Sequence, residues 1–203
     1  MFHNLHSCIE EIKKGHFVLI TDDSSREDEA DLFKAAEFIS KADINFLVKY
    51  ARGLITNPVS STIAKKLSLN LMVPENAGTL MTAFTVSIDA IDGTHTGISS
   101  ADRALTMKKM SEASSVAVDF ERPGHVFPLI AHDKGVLGRE GHTEASVDLL
   151  KLAGLYEVGV LCETLNEDGE ALRGLELKKF SEEFNIKILS VSEIKSYLLS
   201  KAI

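Results

Sequence analysis

A strongly acidic segment lies close to the start of the chain. Its charged residues fall within ten positions: Asp22, Asp23, Arg26, Glu27, Asp28, Glu29 and Asp31. Carboxylates this dense repel one another unless a cation offsets them, and clustered oxygen ligands are what Mg²⁺ accepts. If the segment is extended, Glu27, Glu29 and Asp31 project to one face, because side chains alternate along a strand. A solvated acidic loop is the alternative, since runs of charge usually face water.

A second group of polar residues directly precedes a predicted helix. The run is Arg139, Glu140, Gly141, His142, Thr143 and Glu144. An apolar face follows at helical spacing and Gly154 marks its end, so Thr143 is the predicted N-cap. Free N–H groups and the positive end of the helix dipole would then lie beside Arg139, whose planar guanidinium suits a phosphate. The pattern indicates an anion site or, alternatively, a capped helix with an incidental histidine.

Two further polar side chains adjoin apolar strands. His125 lies in the run Arg122–Leu129, where a tight turn leads into an apolar strand. A histidine in this setting is commonly a core residue bonded to backbone, and a catalytic histidine is the other interpretation. Glu163 follows the apolar run Val158–Cys162. A carboxyl group that leaves an apolar strand can have a raised pKa suited to proton transfer.

Short apolar runs and caps indicate the elements that must position these groups. Phe17–Ile20 is a predicted buried strand that feeds the acidic segment. Ser40 is the predicted N-cap of a helix that ends at Gly53, and Ser60–Leu67 forms another helix. Further strands are predicted at Leu54–Ile55, Phe84–Ile88, Ser115–Phe120, Val158–Cys162 and Ile186–Val191, and helix caps at Ser100 and Ser192. Because some strands are too closely spaced for helical crossovers, the pattern favours an α/β fold with a mixed sheet between helices.

The bulk composition limits the classes of function. The 203 residues are 44% hydrophobic, which predicts a single domain over residues 1–203. The formal net charge of −8 argues against nucleic-acid binding, and no apolar run is long enough to span a membrane, so a cytoplasmic protein is expected. Since Cys8 and Cys162 are far apart in sequence, any metal should be held by oxygen and imidazole ligands.

Taken together, these segments resemble the 3,4-dihydroxy-2-butanone 4-phosphate synthase family from about Phe17 to Val191. The matching stretches occur in the family's order: Asp22–Asp23 with Arg26–Asp31, Gly53–Thr56, Phe84–Val86, Thr96–Ser99 with Ala101–Arg103, Arg122–Leu129, Gly135–Leu137, Arg139–Ala145 and Gly159–Glu163. The resemblance implies a lyase, in its monofunctional form, that converts D-ribulose 5-phosphate to L-3,4-dihydroxy-2-butanone 4-phosphate and formate in riboflavin biosynthesis. It also implies a three-layer α/β/α sandwich around a mixed twisted sheet, and a homodimer with active sites near the interface.

The same resemblance implies roles for individual residues. Two Mg²⁺ or Mn²⁺ ions per subunit would be held by Glu27 and His142. Substrate contacts would come from Arg26, Glu27, Asp31, Arg139, Glu140, Gly141, His142, Thr143 and Glu163, with the phosphate at Arg139 and the helix N-terminus. Catalytic proton transfers would involve His125, Glu163, Asp31 and Glu29, and the Thr94–Ser99 loop would close over the substrate.

A few positions depart from the residues usual in the family. Ser24 and Ser25 replace an acidic pair, Asp28 replaces Asn, and Ala30 replaces Gly; His95, Lys134 and Asn57 are further departures. If position 30 requires a positive φ or a close backbone approach, a Cβ there costs about 1 kcal/mol or more. The alternative hypothesis is therefore a catalytically impaired paralogue that binds sugar phosphates in a regulatory role.

Overall fold

The computed structural model describes residues 3–23 and 25–201, which form one seven-stranded sheet flanked by helices. The strands are β1 (Val18–Thr21), β2 (Ala30–Ala35), β3 (Thr56–Val59), β4 (Ile88–Ala90), β5 (Phe120–Ile130), β6 (Gly159–Glu163) and β7 (Lys187–Ser190). The α-helices are α1 (His3–Lys13), α2 (Lys41–Phe46), α3 (Ser61–Lys66), α4 (Ser100–Met110), α5 (His142–Ala153), α6 (Gly174–Phe184) and α7 (Val191–Lys201). The strand order across the sheet is β4-β5-β3-β6-β2-β1-β7.

The sheet is mixed and lies between two layers of helices, which confirms the predicted fold class. Strands β3 and β5 are parallel, as are β1 and β7, whereas the other neighbours are antiparallel. One buried apolar cluster packs α2, α3, α4 and α6 on one face, and a second packs α1, α5 and α7 on the other. In the two described ranges, no helix combines the length and the apolar character needed to cross a bilayer.

Strand β2 is buried along its whole length, and sequence patterning did not identify it. All six of its residues are buried, because β1 and β6 flank it on both edges. Asp31 and Lys34 are therefore buried despite their charge. The Lys34 ammonium is offset by Asp43, 2.8 Å away at the start of α2. A charged pair of this kind interrupts the apolar pattern that normally marks a buried strand.

Several predicted strand boundaries are wrong. Leu54–Ile55 precedes β3, which begins at Thr56. Of the predicted strand Phe84–Ile88, only Ile88 belongs to a strand, while Phe84 and Thr85 form isolated bridges. The predicted strand Ser115–Phe120 contains a 3₁₀ turn, and β5 begins only at Phe120. The predicted strands at Phe17–Ile20, Val158–Cys162 and Ile186–Val191 correspond to β1, β6 and β7.

Of the helix caps predicted in this part of the chain, the one at Ser40 is right, whereas those at Ser100 and Ser192 are displaced. Ser40 caps α2, as predicted. Its side chain accepts a hydrogen bond from the Asp43 N–H, and the Asp43 carboxylate accepts one from the Ser40 N–H. The following π-helical turn ends at Ala51, and its C-cap is Arg52 with the left-handed φ of 68°, one residue before the Gly53 predicted just past the end. Ser99, not Ser100, caps α4. Ser192 lies inside α7, where Ser190 Oγ accepts the Glu193 N–H at 3.2 Å.

Candidate active site

Residues that are distant in sequence meet at one edge of the sheet because of its strand directions. Chain reversal between β1 and β2 sets Asp31 opposite Ile20, and the antiparallel neighbour β6 sets Glu163 opposite the same Asp31. Helix α5 begins at this edge, which brings His142 within reach of Asp31. The acidic segment, the Arg139–Glu144 run and Glu163 therefore come together, as the resemblance implied.

The acidic segment is a turn organised by Asp22 rather than an extended strand. The buried Asp22 carboxylate accepts bonds from Arg26 Nη1 at 2.8 Å, from the Glu27 N–H at 3.1 Å and from the Glu29 N–H at 3.0 Å. Asp28 has a positive φ of 55°, so the strict alternation expected for Glu27, Glu29 and Asp31 is broken before β2 begins. Their approach to one another depends on this turn.

The substituted positions in this segment fit the fold. Ala30 pairs with Thr21 in the β1–β2 ladder and is not among the residues with positive φ, so its Cβ causes no strain of the kind that a left-handed φ would impose. The left-handed residue is Asp28 instead, and Asp tolerates this conformation better than most side chains do. Ser25 donates from its N–H and Oγ to Asp23, whereas Ser24 lies outside the described residues.

His142 is the centre of a cluster of carboxylates. Its Nδ1 lies 3.4 Å from Glu27 Oε2 and 3.7 Å from Asp31 Oδ2, and its Nε2 lies 4.0 Å from Asp22 Oδ1. One ligand atom each from Asp22, Glu27 and His142 lie within 4.8 Å of one another. His142 Nε2 and Asp31 Oδ1 are both buried without a hydrogen-bond partner. Buried polar atoms are nearly always bonded, so these two orphaned atoms and the oxygen and imidazole donors fit a divalent cation.

The proton affinities in the cluster are strongly perturbed. Burial raises the pKa of Asp31 to about 7, with Glu163, Glu27 and Glu29 adding repulsion. For His142, burial acts to lower the pKa, but the charges of Asp31, Asp22 and Glu27 outweigh it and raise the pKa to about 9. The hydrogen bond with His142 lowers the pKa of Glu27. Burial raises the pKa values of Glu29 and Glu163.

Two guanidinium groups form the cationic side of the site. Arg26 contacts Glu27 Oε2 at 2.5 Å, whereas Arg139 contacts Glu144 Oε2 at 2.5 Å. Arg139 also donates to Leu80 O at 3.0 Å and to Thr82 Oγ1 at 2.7 Å, so it ties the loop before β4 to the site. Three of its five N–H groups are engaged in this way, which leaves donors for an anion.

The start of α5 differs from the prediction. Gly141 is the N-cap and His142 the first helical residue, so Thr143 lies inside the first turn rather than at the cap. A Cβ at position 141 would collide with Arg139 Nη1 and lie 2.7 Å from Glu144 Oε2. A side chain at position 141 would therefore displace the ends of Arg139 and Glu144 from this arrangement. The first N–H groups of α5 have no intrahelical partners, so they could still bind an anion.

A cavity of about 150 Å³ opens between these groups. It is lined by seven of the predicted residues, namely Arg26, Glu27, Asp31, Arg139, His142, Thr143 and Glu163. Thr56 of β3, Leu129 of β5 and Phe84, which bridges to Leu129, also line it. Glu163 is held there by the Leu54 N–H, which donates to Oε2 at 2.8 Å.

Four of the predicted site residues do not line the cavity: Gly141, which is the N-cap of α5, and three residues that lie elsewhere. Glu140 is exposed and pairs with Lys195 of α7 at 2.5 Å, so it does not line the cavity. Glu29 is close enough to Glu27 and Glu163 to be affected by their charges but does not line the cavity either. His125 lies in β5 on the far side of β3 and pairs with Asp89 at 2.6 Å. At about 4.8 Å per strand, it is roughly 10 Å across the sheet from Glu163.

Sequence reasoning gave no role to three residues that the structure makes prominent. Asp22 was noted in the acidic run, yet nothing distinguished it from Asp23 as the buried member. Glu144 was the last residue of the second motif. It can contact Arg139, five positions earlier, because the chain between them turns into the start of α5. Asp89 carried no signal, since a single acid beside an apolar alternation is commonplace.

The fold and this cavity define an α/β protein with a buried cluster of carboxylates and an imidazole beside the start of helix α5. The model of the 3,4-dihydroxy-2-butanone 4-phosphate synthase family matches residues 6–197. The chain belongs to that family.

Relatives agree with this assignment. The chain is 48% identical over 196 residues to "Riboflavin biosynthesis protein RibBA" of Staphylococcus aureus (strain MSSA476), and 44% identical over 197 residues to the protein of that name from Bacillus cereus (strain B4264). These matches cover 97% of this chain but 50% and 49% of the relatives. The chain thus spans about half the length of the curated relatives it matches.

Solved structures have the same fold. One is a 3,4-dihydroxy-2-butanone 4-phosphate synthase in complex with two magnesium ions, 38% identical with a TM-score of 0.92, covering 96% of this chain and 95% of that one. Another is RibBX from A. baumannii, a two-domain 3,4-dihydroxy-2-butanone 4-phosphate synthase, 39% identical with a TM-score of 0.91. That match covers 95% of this chain and 57% of RibBX.

Proposed function

We propose that this protein is a lyase that converts D-ribulose 5-phosphate to L-3,4-dihydroxy-2-butanone 4-phosphate and formate in riboflavin biosynthesis. The observation that carries the proposal is the convergence of Glu27, His142 and Arg139 on one cavity, which combines cation ligands with a phosphate anchor. Family membership and the names of the relatives support the reaction. The chain is proposed to act as a single domain over residues 1–203, in keeping with its one sheet.

Glu27 and His142 are proposed to hold two divalent ions per subunit, Mg²⁺ or Mn²⁺. The orphaned His142 Nε2 and the surplus of carboxylates support this assignment, and Asp22 supplies a further oxygen. The magnesium complex of a related synthase also supports it. When bound, such ions act as Lewis acids on carbonyl and hydroxyl oxygens. Mg²⁺ accepts oxygen ligands readily, so a site with several carboxylates suits it.

The chain's own residues would bind and orient the sugar phosphate. Arg139 and the N–H groups at Thr143 are proposed to grip the phosphate, because charge-assisted bonds to a planar guanidinium fix both position and angle. Arg26, which also lines the cavity, would contact the sugar hydroxyls. Anchoring one end of the substrate lowers the entropic cost of reaching the reactive geometry at the other.

Proton transfers are proposed to involve Asp31, Glu163, Glu29 and His125. Asp31 has a pKa of about 7, and burial raises those of Glu163 and Glu29, so these carboxyls exchange protons closer to neutrality than ordinary acids do. Asp31 and Glu163 face the cavity directly. His125 is proposed to act from the β4–β5 side of the site, where the Thr94–Ser99 loop would close over the substrate.

The protein is proposed to be a cytoplasmic homodimer with its active sites near the interface. Large apolar side chains are exposed around the β4 edge, which suits a surface covered by a second copy: Ile91, Ile98, Val116 and Val118. Cys8 and Cys162 are free and buried, as is usual in a reducing compartment. The acidic net charge of −8 supports a small-molecule substrate over nucleic acid.

A formate assay tests the proposal. Purified protein with Mg²⁺ and D-ribulose 5-phosphate should release formate and a four-carbon phosphate in equal amounts, both detected by NMR. EDTA should stop the release, and excess Mg²⁺ should restore it. His16→Ala is a matched control for histidine variants at the site, since His16 is exposed beyond the other end of β1. Binding of ribulose 5-phosphate without EDTA-sensitive formate would support the impaired, regulatory paralogue instead.

A further inference from the structure

Strand β5 bulges at the point where it delivers His125. Ile88 pairs with Val126, but the next residue, Asp89, pairs with Glu121, so residues 122–125 are looped out between adjacent rungs of the β4–β5 ladder. The Gly124 N–H donates to Ser87 Oγ at 3.1 Å, and its Cα lies against the Ile88 backbone, where a Cβ would collide. The bulge is thus held closely against β4, and His125 is aimed by that contact.

Both oxygens of one buried carboxylate are used on His125. Asp89 is 2% exposed; its Oδ1 accepts the His125 backbone N–H at 2.9 Å and its Oδ2 lies 2.6 Å from His125 Nδ1. The histidine side chain remains 43% exposed. The inner ring nitrogen is therefore committed to Asp89, while the exposure of the ring leaves its outer part open to a reacting group.

A glycine in the Thr94–Ser99 loop covers the histidine–carboxylate contact. Gly97 has φ +85°, and a Cβ there would collide with Asp89 Oδ2 and lie 2.6 Å from His125 Nδ1. The Gly97 N–H donates to Asp102 Oδ2 at 3.1 Å, which pins the loop to the start of α4. Backbone thus shields the contact from water, and shielding strengthens an electrostatic bond.

A carboxylate in this position decides which ring nitrogen carries the proton of a neutral histidine. An ionised carboxylate can only accept hydrogen bonds, so the nitrogen that faces it must be the donor. The other nitrogen, Nε2, is then left with its lone pair free to accept a proton. If Asp89 served only to pin the bulge, its bond to the His125 backbone N–H would suffice.

We propose that Asp89 is a positioning residue that fixes the Nδ1–H tautomer of His125 and so presents Nε2 as a proton acceptor. This role rests on the proposed function, in which His125 moves a proton, and it adds a residue to that site. It also gives Gly97 a reason to be glycine, since any side chain there would separate His125 from Asp89.

Asp89→Asn separates the two roles of this carboxylate. The amide oxygen can still accept the backbone N–H, but the amide nitrogen donates to Nδ1 and favours the Nε2–H tautomer. We expect kcat to fall by about 10² to 10⁴-fold with KM changed by less than about threefold, because general-base assistance is lost while substrate contacts remain. The ¹⁵N shifts of His125, assigned by its loss in His125→Gln and followed across pH, should move from protonated to unprotonated Nδ1 in the neutral ring.

Glu121→Gln is the matched control, because it neutralises the exposed acid on the same rung without touching the ring. It should leave the tautomer and kcat unchanged. An Nε2–H tautomer in the unaltered protein, or an unchanged kcat in Asp89→Asn, would overturn the proposal. If the unaltered protein releases no formate, the proposed function falls, while the ¹⁵N shifts still decide whether Asp89 sets the tautomer.

Discussion

His142 and His125 both lie against carboxylates, yet their surroundings differ in almost every physical respect. His142 is buried among Asp22, Glu27 and Asp31 at 3.4 to 4.0 Å, and its Nε2 has no partner. His125 is partly exposed and has one carboxylate at 2.6 Å, which is itself fully engaged. Around His142 several carboxylates lie close together and some polar atoms have no hydrogen-bond partner. In the second arrangement, both oxygens of the Asp89 carboxylate have a partner on His125.

The contrast separates two kinds of chemistry that share the same side chains. A crowded, under-bonded group of acids around an imidazole is stabilised by a cation, because a cation offsets their mutual repulsion. A single well-made bond between a buried acid and an accessible ring instead fixes where a proton sits. We therefore expect a cation site where the acidic turn meets the start of α5, and a proton-transfer group on strand β5.

Removing a member of the His142 cluster should have the largest effect. Glu27→Ala and His142→Ala should each lower turnover by more than about 100-fold, because losing even the partners of metal ligands costs 10 to 100-fold. Circular dichroism and gel filtration should show an intact fold, with the exposed His16→Ala as the control. If either variant retained turnover, the cluster around His142 would not be the cation site, and the contrast drawn with His125 would fail.

Removing Arg139, the proposed phosphate-binding residue, should mainly weaken substrate affinity. Arg139→Ala should raise KM by about 10 to 100-fold, since a charge-assisted hydrogen bond contributes about 1.5 to 3 kcal/mol. Arg139→Lys keeps the positive charge but loses the forked guanidinium, so its KM should lie between those of the unaltered protein and Arg139→Ala. Steady-state kinetics measure both, and an unchanged KM in Arg139→Ala would rule out a phosphate role for this residue.

Cation binding should displace a proton from His142. Its pKa of about 9 means that the ring is mostly protonated at pH 7, and a ligand imidazole must be neutral. Affinity for Mg²⁺ should therefore rise with pH up to about 9, approaching about tenfold per unit below that value. Calorimetric heats in buffers of different ionisation enthalpy report the released proton. Heats that do not vary with buffer would show that His142 is not the ligand.

Glu140 should matter least, although it lies two residues from His142. Its carboxylate pairs with the partly exposed Lys195, and such surface pairs contribute about 0 to 1 kcal/mol. Glu140→Ala should change kcat and KM by less than about twofold and barely shift the melting temperature. Comparison with Glu27→Ala tests whether position in the cavity, rather than charge, decides function. If Glu140→Ala raised KM as far as Arg139→Ala does, Glu140 would have to contact the substrate after all.

Strongly periodic and capped segments were predictable because their signals are local. The apolar run ending at Ile20, the Ser40 cap and the helix stop at Gly154 depend on residues a few positions apart. Strand β2 was not predictable in this way, since Asp31 and Lys34 become buried only when β1 and β6 close around them.

The sequence by itself determined which side chains could do chemistry: the acids of residues 22–31, the Arg139–Glu144 run, His125 and Glu163. Only the tertiary structure decided which of them meet. Strand register brought Asp31 beside Glu163, the cap at Gly141 rather than Thr143 set the phase of α5, and the β5 bulge joined Asp89 to His125. These outcomes depend on contacts between residues far apart in the chain, and local spacing carries no information about such contacts.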